Sequence, residues 1–332
     1  MNAAAHPYAE LTPDRVLDAL EAVGLRGDGR LQALGSYENR VYLIGIEESA
    51  PVVAKFYRPG RWPDAAIGEE HAFVAALAER EVPVVAPLAI GGRTLHASGG
   101  FRFAVYPRCG GRAPELGDRE TLEWMGRFLG RIHAIGALDP FRHREAITPE
   151  TFGVAPRDWL LAHGCVPADL VDAWAGISAQ ALDGVRRCFE RAGALRTLRL
   201  HGDCHAGNVL WIEHGADRGP HFVDFDDTRM GPAVQDLWML LSGDRAEMTL
   251  QLDAVLRGYG EFRDFDAREL GLVEALRTLR LLHYSAWLAQ RWDDPAFPAA
   301  FPWFDTQRYW QDRILELREQ VALMEEPPLG ST

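Results

Sequence analysis

The chain lacks the cysteine pattern of a metal-ribbon or disulfide-built domain. Its four cysteines, Cys109, Cys165, Cys188 and Cys204, are scattered and form no C-x-x-C pair; that spacing suggests neither a zinc site nor a disulfide framework and suits a reducing cytoplasm. No stretch approaches 18 consecutive apolar residues, so no membrane span is expected. Residues Met1 to Glu10 contain no Lys or Arg and no long apolar run, so no secretory signal is expected either. Positive charge is also in short supply: 35 Lys and Arg against 48 Asp and Glu give a net charge of -13. So acidic a surface repels nucleic acid and the anionic membrane leaflet, and neither is an expected partner. A local cluster of cations can still hold phosphate groups inside such a protein. There is no internal repeat and no low-complexity tract.

What remains is an ordinary globular composition, 47% hydrophobic and 25% charged, in 332 residues, enough for two lobes with sizeable cores. Thr12 as cap, Pro13 at the first helical position and the stripe Val16, Leu17, Leu20, Val23 before Gly24 predict a first helix. Strands follow over Arg40 to Ile46 and Val52 to Tyr57, then a helix over Asp64 to Arg80, then short strands around Val82 to Ile90, Arg93 to His96 and Phe101 to Tyr106. Beyond Gly110 and Gly111 the pattern turns helical. Leu122, Met125, Leu129 and Ile132 share one helical face, and helices are expected over Asp169 to Ala192, Val234 to Leu241, Arg245 to Tyr259 and Ala267 to Gln290. A final helix carries Ile314, Leu317, Val321 and Met324, and the tail Glu325 to Thr332 is expected to fray.

A strand-loop-strand island at Leu198 to Phe225 carries the chemistry. Asn208 lies five positions after Asp203, and Asp224 sixteen after Asn208, just past an apolar run. This is the D-x-x-x-x-N then D-F-x order of kinase-fold phosphotransferases. Phosphoryl transfer needs a metal bridging phosphates, and magnesium prefers hard oxygen ligands such as the Asn208 amide oxygen and Asp224 carboxylate. Asp203 then serves as the base that takes the proton of the attacking hydroxyl, and Asp224 is catalytic through its metal. A competing reading takes His201, Asp203 and His205 as a zinc set of a hydrolase.

The same chemistry requires a lysine for the phosphates of ATP. Lys55, in the apolar strand Val52-Val53-Ala54-Lys55-Phe56, is costly to bury without an anion. Its carboxylate partner on the next helix is Glu69 or Glu70. Glu70 interrupts the stripe Ile67, Val74, Leu77 and is preferred. The phosphate loop, Gly35-Ser36-Tyr37-Glu38-Asn39-Arg40-Val41, has one glycine where protein kinases place three, leaving Ser36 and backbone N-H groups as phosphate contacts. Asp236 either accepts from N-H groups of the catalytic loop or marks a helix start. Cys204, beside Asp203, reads as a plain loop cysteine rather than a redox-sensitive thiol.

These residues resemble the aminoglycoside phosphotransferase and choline kinase superfamily, and within it the bacterial stress response kinase A family. The likeness rests on Ser36 to Tyr42, Lys55-Phe56-Tyr57-Arg58-Pro59, Leu198 to Leu210, Gly231 to Leu241 and Asp294 to Pro298. It implies an α+β, bilobal protein-kinase-like fold, an antiparallel-sheet N-lobe over 1–106 and a helical C-lobe over 107–332. It also implies Asp203 as proton acceptor, Asn208 and Asp224 as magnesium ligands, Ser36 beside ATP, and an adenine hinge near Tyr106, Pro107 and Arg108. The expected activity is that of a monomeric, cytoplasmic serine/threonine protein kinase acting on a protein hydroxyl, or alternatively on a small alcohol or amine such as homoserine, choline or an aminoglycoside. A catalytically silent nucleotide-binding regulator would lack Lys55, Asp203 or Asp224. Two departures from protein kinases stand out: Asp224-Phe225-Asp226 replaces D-F-G, and too few residues follow Asp227 for a long activation loop.

Overall fold

The computed structural model describes residues 6–216 and 218–330. Residues 1–5 of the segment read for a signal, and Ser331 and Thr332 of the expected frayed tail, lie outside the described residues. The described chain forms two compact units. The first runs to Pro114 and adds Phe141–His143 and Ala206–Asp227; the second comprises Glu115–Pro140, Arg144–His205 and the chain from Thr228 on. The first unit thus continues beyond residue 106 and includes the hairpin 206–227.

The first unit begins with α1 (Pro13–Glu21), where Thr12 accepts the Arg15 N-H and Pro13 takes the first position. Strands β1 (Gly27–Ala33), β2 (Arg40–Ile46) and β3 (Val52–Phe56), helix α2 (Asp64–Ala78), then β4 (His96–Ser98) and β5 (Phe101–Pro107) follow. The five strands form an antiparallel sheet in the order β1-β2-β3-β5-β4. Alternation along β3 and β5 sorts the two faces. Val52, Ala54, Phe56, Phe101, Phe103 and Val105 join the core under α1, with Val16 and Leu20. The alternate residues Tyr57 and Ala104 pack with Ile67 of α2. Lys55, opposite Val41 and Ala104, is on that second face by the same alternation.

The second unit is mainly helical: α3 (Arg119–Gly136), α4 (Ala155–Ala162) and α5 (Val171–Ala192), then the short β6 (Leu198–Arg199). In the first unit β7 (Val209–Ile212) and β8 (Gly219–Phe222) form a hairpin. The second unit resumes with β9 (Met230–Gly231), paired with β6, then α6 (Val234–Trp238), α7 (Arg245–Tyr259), α8 (Val273–Ala289), α9 (Ala296–Ala300) and α10 (Gln307–Leu323). A Cβ on Gly136 would collide with the Arg199 carbonyl oxygen, so glycine lets α3 lie against β6. Trp174 and Trp310 meet edge to face at 5.7 Å to join α5 and α10.

Several local expectations fail for identifiable reasons. The segment Val82 to Ile90 is not a strand; Pro83 and Pro87 interrupt it, and only isolated bridges, Val84 to Phe222 and Ile90 to Arg93, form. The next strand is His96–Ser98 rather than Arg93 to His96. β1 carries two glycines and little apolar alternation, and was not expected. The helix expected over Ala267 to Gln290 opens with a 3-10 turn, Ala267–Leu272. The tail does not fray through residue 330: Leu329 is buried and Arg245 donates to the carbonyls of Pro327 and Pro328.

Glu269, in that 3-10 turn, is buried and accepts the Val234 N-H at 2.8 Å, capping α6. Burial outweighs this bond and pushes its carboxyl up to about 7. The folded state therefore holds a proton that the unfolded chain has released above about pH 4.5. The associated stabilisation is full below that pH and is lost as pH rises through about 7. Glu269→Gln keeps an accepting oxygen and abolishes the titration. The melting temperature of Glu269→Gln relative to wild type should rise between pH 5 and pH 8, by the equivalent of at most about 3 kcal/mol. A constant difference across that range would refute the buried, raised carboxyl.

Candidate active site

The hairpin β7–β8 places the predicted metal ligands side by side. Val209 pairs with Phe222, so Asn208 and Val223 flank the same open end, and the Asn208 carbonyl accepts the Val223 N-H at 3.0 Å. Asp224 follows at once, with φ at +58°, a left-handed conformation that aspartate tolerates better than most side chains. Asn208, Asp224, Lys55, Glu70 and Ser36 all line one cavity of about 370 Å³, every wall of which belongs to the first unit. Val41, Val53, Tyr106, Leu210 and Phe225 supply apolar surface, and Pro107 and Cys109 line it beyond Tyr106. A concave apolar pocket with a few convergent polar groups is the form of a small-molecule site.

Lys55 is only 6% exposed, and three carboxylates surround its ammonium: Asp224 at 2.9 Å, Asp226 at 3.3 Å and Glu70 at 3.8 Å. Burial alone would lower its pKa; Asp224, then Asp226 and Glu70, outweigh that and hold it well above the ordinary lysine value. The choice between the two glutamates is settled by partner. Glu69 instead accepts the backbone N-H groups of Arg142 and His143, at 2.8 and 3.0 Å. Behind the cavity the Tyr57 hydroxyl bonds His71 at 2.7 Å, and His71 bonds Thr94 at 2.8 Å, so this buried polar face is satisfied.

The segment Gly35 to Val41, expected as a phosphate loop, is held by side chains. Asn39 is buried and accepts the Arg58 N-H at 3.1 Å, and Glu38 faces Arg58 and Arg61, each at 3.8 Å. Arg61 also pairs with Asp226 and, at 2.6 Å, with Asp227. Sequence reasoning missed Asp226 as a third lysine partner, and Arg61 altogether. One signal was available for the lysine itself: Lys55 is the single lysine of the chain, all other members of the 35 Lys and Arg being arginine.

Asp203 lies in the second unit, on the same loop five residues before Asn208. Arg280 Nη1 donates to its Oδ1 at 2.6 Å, and His205 Nε2 is 3.5 Å from its Oδ2. The loop backbone is fixed by Asp236, which is fully buried and accepts the N-H groups of His201 and Gly202, both at 2.8 Å, and faces His133 Nε2 at 3.0 Å. Of the two roles open to Asp236, the structure gives it the loop-holding one. His201 is fully buried, and among the described residues no three His, Cys, Asp or Glu side chains group to hold a metal, so the H-x-D-x-H zinc set does not assemble. Cys204 is buried, and desolvation, then Asp236 and Asp203, raise its thiol well above the ordinary value.

Residues 30–271 match the Phosphotransferase enzyme family. The chain is 45% identical to stress response kinase A of Escherichia coli K12 over 332 residues, 100% of this chain and 99% of that one. It is 44% identical, over the same shares, to the serine/threonine protein kinase RdoA of Salmonella typhimurium. Among solved structures, an amicoumacin kinase in complex with AMP-PNP, Ca2+ and Ami aligns at a TM-score of 0.72 and 18% identity, covering 96% of this chain and 94% of that one. A microcompartment-associated aminopropanol kinase aligns at 0.71 and 20%, covering 93% and 95%. The fold, an antiparallel five-stranded sheet followed by a helical region, is that of the protein-kinase-like phosphotransferases. The chain is a phosphotransferase, a member of the Phosphotransferase enzyme family and, within it, of the stress response kinase A family.

Proposed function

We propose that the chain is an ATP- and magnesium-dependent serine/threonine protein kinase of a bacterial stress response. The observation that carries this is one cavity lined by a buried, carboxylate-held lysine together with Asn208 and Asp224. The names of the relatives, stress response kinase A and serine/threonine protein kinase RdoA, supply the acceptor class and the setting. Asn208 and the half-exposed Asp224 fit magnesium: one amide and one carboxylate oxygen, hard donors that leave room for phosphate oxygens. Bound there, the ion would neutralise charge on the phosphates. Lys55 positions those phosphates while keeping Glu70 and Asp226 as counter-charges. Ser36 and the loop backbone contact the phosphate tail, and Tyr106 and Pro107 lie along the adenine. Asp203 orients the acceptor hydroxyl and takes its proton. Residues 1–106 supply the phosphate-binding lobe, and 107–332 the catalytic loop and acceptor side. The setting is the cytoplasm; no described helix is long and apolar enough to cross a membrane.

A second reading, phosphorylation of a small alcohol or amine, is favoured by one feature. Only the six residues from Thr228 to Ala233 separate Asp227 from α6, too few for the loop that seats a peptide in protein kinases. Turnover of radiolabelled ATP against protein extract and against homoserine, choline and aminoglycosides separates the two.

Three measurements test the machinery. Asp203→Asn should lower kcat by about 10²- to 10⁴-fold while ATP still binds; activity within a few-fold of wild type would refute the base. Asp224→Ala should lose the magnesium-dependent part of ATP affinity, and equal wild-type affinities in EDTA and in magnesium would refute the metal site. Because Lys55 is the single lysine, an amine-reactive acyl-phosphate analogue of ATP should modify one internal residue, with protection by excess Mg-ATP. Peptide mass spectrometry showing only N-terminal labelling would remove Lys55 from the phosphate site.

A further inference from the structure

Asp203 is held in two different ways. Its backbone follows Gly202, whose N-H is bound by the buried Asp236. Its side chain is held from α8, 77 residues away, by the 2.6 Å bond from Arg280 to Oδ1. Exposed ion pairs usually contribute little, because two long side chains must be ordered in water. This pair differs in that the aspartate is short, is three-quarters buried and sits on a loop already fixed at the backbone. A short charge-assisted bond then selects one rotamer of a side chain with little freedom left.

We infer that Arg280 is the positioning residue for the catalytic carboxylate, an inference that rests on reading Asp203 as the proton acceptor. The guanidinium holds Oδ1, and His205 Nε2 stands 3.5 Å from Oδ2, so the carboxylate is oriented from α8 on one side and from its own loop on the other. The cation has a second effect. A bare carboxylate repels the anionic phosphoryl group during transfer, and the paired one does so less. Arg280 stands in a helical stripe with Arg277, Leu281 and Tyr284 that lines a cavity of about 470 Å³ in the second unit, also walled by Trp238 and Glu316. Arg277 has its own partner, Glu274 at 3.0 Å, and does not compete for Asp203. The residue that turns the base is therefore also exposed to whatever occupies that cavity.

The test uses the full chain with Mg-ATP, dephosphorylated casein as acceptor, and slow ATP hydrolysis to water as a second readout. Arg280→Gln should lower kcat about 10-fold or more, the effect of a lost bond to a charged group, with the KM for ATP within about two-fold. Arg280→Lys, which keeps the charge without the planar fork, should recover a large part of the loss and serves should the glutamine variant fail to fold. The double variant Asp203→Asn/Arg280→Gln should be no slower than Asp203→Asn alone, because both act through one carboxylate. An Arg280→Gln enzyme of near wild-type kcat beside an impaired Asp203→Asn enzyme would overturn the inference and leave the base assignment standing. Losses that multiply in the double variant would overturn it too. An unimpaired Asp203→Asn enzyme would sink the base assignment and this inference together.

Discussion

One buried ammonium governs the layout of the first unit. Lys55 is almost fully enclosed, and an unpaired lysine there would be strongly disfavoured. Its three carboxylates come from separate places: Glu70 from α2, Asp224 from the end of the hairpin, and Asp226 from the turn after it. Without the cation those carboxylates would repel one another, so β3, α2 and the segment 222–227 are mutually dependent. Loss of one partner of such a group costs more than the pair contributes, because charge is left buried. The left-handed backbone at Asp224 persists in this setting, where its surroundings determine it from both sides. Arg61 extends the arrangement by adding a second cation to Asp226 and by facing Glu38 of the phosphate loop. The segment's course is held by buried Asn39 and by Glu38.

The second unit uses hydrogen bonds where the first uses charge. Asp236 gathers two loop N-H groups and a histidine, and His133 passes on to the Tyr259 hydroxyl at 3.0 Å. Glu269 caps the short helix that carries Asp236. Every member is buried, so each unmet bond would cost the full desolvation of its group. The outcome is a loop whose backbone is held at His201 and Gly202 and whose Asp203 side chain stays part exposed. The proposed role of Asp203 as proton acceptor calls for that combination of fixed backbone and accessible carboxylate.

Local signals in the sequence were legible because they act within one turn or one strand. Thr12 and Pro13 start α1, and the spacing of Asn208 and Asp224 follows the hairpin that joins them. Ile67, Glu70, Val74 and Leu77 do share a buried face. What periodicity cannot supply is partner choice at long range. Arg280 is 77 residues from Asp203, and Lys55 is 169 from Asp224. The chain has many arginines and aspartates, and no spacing rule pairs them. Glu69 stood beside Glu70 as an alternative for a related reason: it is an adjacent helix carboxylate, and its actual partners are the backbone N-H groups of Arg142 and His143, which no spacing rule announces. β1 was invisible because its glycines and polar residues lack alternation; the sheet makes it a strand through its pairing with β2.

The replacement of glycine by Asp226 bears on control as well as on structure. A glycine at that position frees the backbone to swing, which is how many protein kinases move between active and inactive arrangements. Here the residue is an aspartate held by a lysine and an arginine, both nearly buried. Six residues lead from Asp227 to α6, and Met230 and Gly231 among them are paired with β6. The chain length and this pairing leave no room between Asp227 and α6 for a long activation segment of the protein-kinase type.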